Sequence, residues 1–359
     1  MEYFWKKKTI VSFVLSIFVF WIHIPSFGQY LLTSGQSSGS GAETLVSCLS
    51  VFFSNTFVRM AVPLFFILSG AAFFRDYTNK KFVSKLKSRF WSLILPYLIW
   101  NTLGMIFAII TSYSFISRYF VAREKFVITI PNILKAIFFA ECNGPFWFIC
   151  SLIVFVFLSP LLELLTKNKI ISFISIVVLV ILSQFDIPFL STLIHGIDSL
   201  IYYFAGCIIG RHFMKIFSRK CPKRLSVIAI FVFVLCTVIW FIRGMGIFEL
   251  PVPLSVVFLS VFAMSFWCAF DIFDVENIRI RPFVSDSFFI YAMHLNLSAV
   301  IAKLLYIVLP KNIICAIPNF VITSFLTAFI ILLFASVLRR FLNPLYLVLS
   351  GMKKRSVAK

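Results

Sequence analysis

Charge is what this chain has least of. Only 13% of its 359 residues are Asp, Glu, Lys or Arg, and of these just 13 are acidic against 33 basic. A water-soluble globule of this size cannot cover its surface with so few charges, least of all with 61% hydrophobic residues, 47 phenylalanines and a mean hydropathy of +1.02. The chain is therefore read as an all-α, polytopic transmembrane helix bundle in contact with the lipid bilayer. There is no C-x-x-C pair among the eight cysteines, and most of them fall in apolar runs. Packing as small hydrophobes explains them better than disulfides, and no metal, haem, zinc or redox signature is present. Internal repeats of the transporter kind are missing too, as is any polar stretch long enough for a soluble domain. Residues 1–359 read as one integral membrane domain, with 339–359 as a basic tail.

The net charge of +20 would suggest a nucleic-acid binder in a soluble protein. Here the basic residues sit in short loops between apolar spans, so no nucleic acid is expected as a partner and the charge bias is topological. The expected spans are Thr9–Phe27, Phe57–Phe74, Trp91–Tyr113, Phe146–Thr166, Ile170–Phe185, Leu200–Phe213, Ser226–Ile242, Leu254–Phe270, Ser287–Leu309 and Ala316–Leu338, about ten in all. Threading them with both termini cytoplasmic leaves about 25 of the 33 basic residues inside. Gln29–Asn55 then forms an outer polar loop with a weak apolar piece, and 75–89 becomes a strongly basic inner loop. The basic start and the small residues of 37–42 resemble a cleavable leader. The first span is long and carries His23, which a cleavable segment does not need, so it is read as retained.

Ionisable residues inside a membrane are the functional candidates. His23 lies about 14 residues, on the order of 21 Å, from the inner end of its span. A neutral imidazole there can act as a general base on a hydroxyl or thioester, or it can simply be satisfied by a neighbouring helix. Ser12, Ser16 and His23 fall on one helical face, and Ser287, Tyr291, His294 and Ser298 on another. Two such stripes suggest a shared polar cavity, although serine and tyrosine in membrane helices also hydrogen-bond without further purpose. Arg59, at the outer end of its span, either snorkels to headgroups or turns inward to hold an anion or sugar. Asn101, Glu163, Asp186, Asp198 and Lys303 lie near span ends or singly, where capping or interfacial roles suffice. The cations of the 75–89 loop suit phosphates of a cytoplasmic cofactor, and equally lipid phosphates.

The stretch Val62-Pro63-Leu64-Phe65-Phe66-Ile67-Leu68-Ser69-Gly70 resembles the VPLFF-x-x-SG signature of the acyltransferase-3 family of integral membrane acyltransferases. Further pieces follow in that family's order: His23 at the end of the first span, Leu95-Pro96-Tyr97 after a basic loop, Gly144-Pro145-Phe146-Trp147-Phe148, Ser159-Pro160, Tyr203-Phe204-Ala205-Gly206, and Ser287-Phe288-Phe289-Ile290-Tyr291 leading to His294. The resemblance covers nearly the whole chain. It implies a ten-helix fold in the cell (cytoplasmic) membrane that takes an acyl group, usually acetyl from acetyl-CoA on the cytoplasmic side, to an acceptor hydroxyl outside. The acceptor would be a cell-envelope polysaccharide or a lipid-linked sugar. His23 would be the essential histidine. Apart from the resemblance, Arg59 is assigned as a second catalytic residue, to position an acceptor or stabilise negative charge on the acyl oxygen.

Together the motifs and the polar stripes assign substrate binding to Ser12, Ser16, Ser69, Trp147, Tyr203, Tyr291 and His294. Contact with the donor's phosphates falls to Arg75, Lys85 and Arg89. One departure stands out. The family commonly has a basic residue eleven positions before the histidine, and here that position is Ser12, with Lys8 the nearest upstream cation. Either another cation, from the 75–89 loop, meets the donor, or the activity has drifted or been lost. No hydrolase-like domain follows the last span, so transfer is expected to finish in the membrane part or with a separate partner. In the Val62–Gly70 stretch, Pro63 is expected to loosen its helix and Ser69-Gly70 to permit a close crossing. The rival reading is an exporter of a glycan or small anion with no acyl-transfer chemistry.

Overall fold

The computed structural model describes residues 1–33, 41–113, 125–185, 187–188 and 194–352. Residues 37–40 of the small-residue run, Asp186, and 353–359 of the basic tail lie outside them. Among the described residues the chain is helical throughout, with no strand. That is what a bilayer requires, because hydrocarbon offers no partners to backbone N–H and C=O groups. Large apolar side chains such as Phe173, Phe231, Phe325 and Phe329 are openly exposed, on faces that only lipid can cover. The protein is a multi-pass membrane protein.

In chain order the helices are α1 (Glu2–Ile22), α2 (Ser26–Thr33), α3 (Gly41–Asn55), α4 (Ala61–Phe74), α5 (Phe82–Arg89), α6 (Leu95–Tyr113), α7 (Ile130–Phe138), α8 (Trp147–Phe157), α9 (Ser159–Thr166), α10 (Lys169–Leu182), α11 (Ile197–Ile208), α12 (Lys223–Gly244), α13 (Val252–Ala269), α14 (Ser287–Val308), α15 (Ala316–Phe341) and α16 (Asn343–Ser350). Seven stretches are long and apolar enough to cross a membrane: Glu2–Leu32, Gly41–Phe74, Asn79–Tyr113, Lys223–Gly244, Val252–Ile272, Pro282–Val308 and Ile313–Phe341. The span expected at Phe146–Thr166 is a pair of helices bent by 66° at Leu158, which would make an eighth. Those expected at Ile170–Phe185 and Leu200–Phe213 are covered by α10 and by α11 with its π-turn at Ile209–Phe213.

Three expectations about individual elements are corrected. The first span begins at Glu2, so Lys6–Lys8 are inside α1, and it breaks at His23 because Pro25 has no N–H and bars Ile24 from helical geometry. The outer loop expected over Gln29–Asn55 is helical in α2 and α3, since Leu45, Val46, Leu49, Val51, Phe52 and Phe53 supply an apolar face. Pro63 does not loosen its helix. It occupies the first turn of α4, where a missing N–H removes no intrahelical bond, and the break lies earlier at Thr56, before a short 3-10 turn over Phe57–Met60.

The chain divides into two compact units: Met1–Asp76 with Leu165–Phe185 and Ile201–Ser336, and Tyr77–Leu164 with Asp186–Leu200 and Val337–Lys359. In the first, α4 crosses α11 at backbone contact. A Cβ on Gly70 would collide with the Tyr203 carbonyl, one on Gly206 with the Ile67 carbonyl, and one on Gly210 with that of Ala71. The expected close crossing at Ser69-Gly70 is therefore present, and its partner is the Tyr203–Gly206 motif followed by a second small residue four positions on. The second unit is tied by polar side chains of α6. The Tyr97 hydroxyl donates to Phe138 O (2.7 Å), Asn101 Nδ2 to Ile137 O (3.0 Å) and Trp100 Nε1 to Leu349 O (3.0 Å) in α16.

Candidate active site

α1 ends on His23, and α14 brings His294 to it. The two imidazole rings lie 5.3 Å apart, with Phe20 6.0 Å and Tyr291 6.1 Å from His294. His294 is 1% exposed. Its Nδ1 approaches the carbonyl oxygens of Tyr291 (2.7 Å) and Ile290 (3.1 Å). Carbonyls only accept, so Nδ1 must carry the proton and Nε2 is left as an acceptor. That Nε2 is buried with no hydrogen-bond partner among the described residues. A buried lone pair without a donor is destabilising in a folded protein, and it is the arrangement that a substrate hydroxyl would complete.

Arg59 is delivered to the same end of α1 by its short turn. Phe57 packs on Phe18 (5.1 Å) and Trp21 (6.1 Å), which places Arg59 within electrostatic range of the His23 ring. It does not simply extend away, for its Nε donates to Asn55 Oδ1 at 2.6 Å. Two of the stripe serines are satisfied within their own helices: Ser16 donates to Ser12 O (2.8 Å) and Ser298 to Leu295 O (3.2 Å). They line the faces that carry the histidines, but their hydroxyl protons are already engaged.

The opposite end of α1 is charged. Lys7 is 1% exposed and forms a 2.7 Å ion pair with Asp271, over the Trp267 ring at 4.0 Å. Asp271 also receives the Tyr3 hydroxyl and the Cys221 N–H (2.9 Å). Lys7, one of the cations of the basic start, thus has its charge neutralised inside the protein. Near it, a cavity of about 850 Å³ is lined by Met1, Arg75, Arg211, His212, Lys215 and Arg219 among others. Arg75, expected at a donor site, is thus joined by cations that the sequence presented only as topological signals. His212 Nε2 lies 2.8 Å from Thr166 O.

The other expected residues are elsewhere. Ser69 is half-buried and Tyr203 buried on the helices of the α4–α11 crossing. Lys85 and Arg89 are half-buried on α5, in the second unit. Trp147 belongs to that unit as well and stacks on His195, with centroids 4.6 Å apart and planes 13° from parallel. His195 was not singled out from the sequence. Its positive φ of 58° precedes Gly196 at 103°, a backbone bend that no short motif announces.

The family model described as an acyltransferase domain, that of the acyltransferase-3 family, matches residues 12–340. The chain belongs to the acyltransferase-3 family. No curated relative and no solved structure matches it. The matched region contains His23, Arg59 and His294, and starts at Ser12. Membership makes the protein an acyltransferase and decides against a carrier with no chemistry. For an acyltransferase, the useful features of this site are a histidine at a helix break, a second histidine held as an obligate acceptor, and an arginine whose charge reaches the first.

Proposed function

We propose that this acyltransferase is a membrane O-acetyltransferase that moves an acetyl group from acetyl-CoA to a hydroxyl of a cell-envelope polysaccharide or lipid-linked sugar. The observation that carries the reading is the meeting of His23 with His294 at one end of α1, with a cationic cavity at the other. His23 takes the proton of the acceptor hydroxyl as its oxygen attacks the thioester carbon. The C–O bond forms, the C–S bond breaks, and His23 returns the proton to the departing sulfur. His294 Nε2 accepts a hydrogen bond from the acceptor and so fixes its direction. Arg59 orients the acceptor or offsets negative charge that develops on the acyl oxygen.

Arg75, Arg211, Lys215 and Arg219 suit the phosphates of coenzyme A. They supply what Ser12 lacks, and Lys7, paired to Asp271, cannot. Ser12, Ser16, Ser69, Tyr203 and Tyr291 are retained as residues along the substrate path, while Lys85 and Arg89 as donor contacts and Trp147 as a substrate residue, all in the second unit, rest on the sequence alone. Twenty-one residues of α1 span about 31 Å, so the donor's arm, not its nucleotide end, must approach His23.

We place the protein in the cytoplasmic membrane as one domain with ten spans, both termini and the basic 339–359 tail inside. What supports this topology is that ends assigned to the inner side pair with each other. Lys6 donates to Glu276 O, Lys220 lies 3.5 Å from Asp274, and Arg75 lines one cavity with Arg211–Arg219. The test is His23→Ala at matched expression, which should abolish acetylation of the host glycan. Unchanged acetyl content would overturn the assignment.

A further inference from the structure

Beside the histidines, two arginines converge. α12 ends at Arg243-Gly244, and its last turn lies on the last turn of α3: a Cβ on Gly244 would press on Val51 and come 3.9 Å from Asn55 Nδ2, while Phe241 packs 6.2 Å from Phe52. Asn55 is the residue that holds Arg59 Nε. Arg59 and Arg243 therefore stand beside the same pair of packed helix ends, close enough for their charges to act on each other. Neither is fully engaged. Arg59 has five N–H donors, of which the bond to Asn55 uses one. Arg243 lies over Trp240 at 4.6 Å and gives one Nη to Glu249 at 2.9 Å, but its Nε is buried with no partner among the described residues. Glu249 is 77% exposed, a rim carboxylate that a ligand can displace.

Glu249 offsets the charge of Arg243 from the rim, and a single anion bridging both guanidiniums would offset the two together. A planar fork with open N–H groups matches a carboxylate or phosphate oxygen pair. We propose that Arg59 and Arg243 form an oxyanion-binding clamp for a carboxylate or phosphate carried by the acceptor, making this acyltransferase selective for anionic acceptors. This rests on the acetyl-transfer reading above and names the class of acceptor. Arg59 is exposed and held to the protein through Asn55, and a bilayer headgroup carrying the same oxyanion chemistry is separated from an acceptor by the lipid arm of the test.

The test uses the full chain in phosphatidylcholine nanodiscs without acetyl-CoA. Binding of glucuronate, glucose 1-phosphate and glucose is measured by saturation-transfer NMR. At least one of the anions should bind about tenfold tighter than glucose; glucuronate would indicate an acidic sugar, and glucose 1-phosphate a phosphate-linked one. Arg243→Gln should remove the difference. Glu249→Gln, which frees Arg243 without touching the fold's interior, should widen it, and this second variant decides the matter if Arg243→Gln fails to fold. Equal binding of all three sugars overturns the clamp, as does a difference that Glu249→Gln leaves unchanged. Displacement of both anions by added phosphatidylglycerol, retained in an Arg243-dependent way, would assign the pair to lipid and also overturn it. His23→Ala should keep the anion preference while losing transfer. Anion preference without any acetyl transfer would sink the acetyltransferase reading alone, whereas equal transfer to neutral and anionic acceptors would sink the clamp alone.

Discussion

The two ends of α1 treat polarity in opposite ways. At the Lys7 end, charge is buried and matched: Lys7, Asp271, Tyr3 and the Cys221 N–H satisfy one another beneath Trp267. At the His23 end, polar groups are held in place but left open: among the described residues, His294 Nε2 has no hydrogen-bond partner and Arg59 is bound through a single nitrogen. A matched buried pair fixes a helix in position, while an unmatched one stores the capacity to bind. The lesson is that the cost of burying a polar group tells structure from function only once its partners are known.

Substitutions at each end should separate the two behaviours. The largest effect is expected from His23→Ala. Acetyl transfer should fall by about 10²- to 10⁴-fold, the range for a lost general base, with little change in thermal unfolding in detergent. Next, Asp271→Ala should lower stability by about 3–5 kcal/mol because Lys7 would remain buried and unpaired. Replacing both, Lys7→Met with Asp271→Leu, should restore most of the loss in the same unfolding measurement. His294→Phe keeps the ring's shape and removes the open acceptor. Transfer should drop about 10- to 100-fold while the unfolding temperature holds or rises. If stability fell instead, His294 would belong with Lys7 as a structural residue. Smallest is Lys215→Gln at the cationic cavity, where one of several surface charges is removed. A rise in the apparent KM for acetyl-CoA of about two- to fivefold is expected, diminishing at high salt.

Much of this was legible before the fold was in view. The spacing of Tyr291, His294 and Ser298 marked one face of α14, and all three are buried on it. The spacing of Ser12, Ser16 and His23 marked one face of α1, with Ser16 buried and the other two half-buried; the break at His23, which Pro25 causes, was missed in a span drawn unbroken from Thr9 to Phe27. Other features were hidden because they depend on residues far apart in the chain. Lys7 looked like any loop cation until Asp271, more than 260 positions away, neutralised it. Arg211, Lys215 and Arg219 read as topological charge until they closed one cavity with Arg75. The apolar residues of α3 were too few to outweigh a loop reading, since a half-apolar helix lacks a span's signal. Gly70 and Gly206 each belonged to a recognisable motif, yet nothing local said that the two motifs touch.

The sequence by itself determined that the chain is a helical membrane protein of the acyltransferase-3 kind, because a bilayer leaves an apolar chain no backbone option but the helix and because its motifs are local. Only the tertiary structure decided which polar groups are matched and which remain open. Hydrogen bonds and ion pairs act over a few ångströms between helices whose separation along the chain carries no periodic trace, so the meeting of His23 with His294, and of Arg59 with Arg243, had to be seen in space.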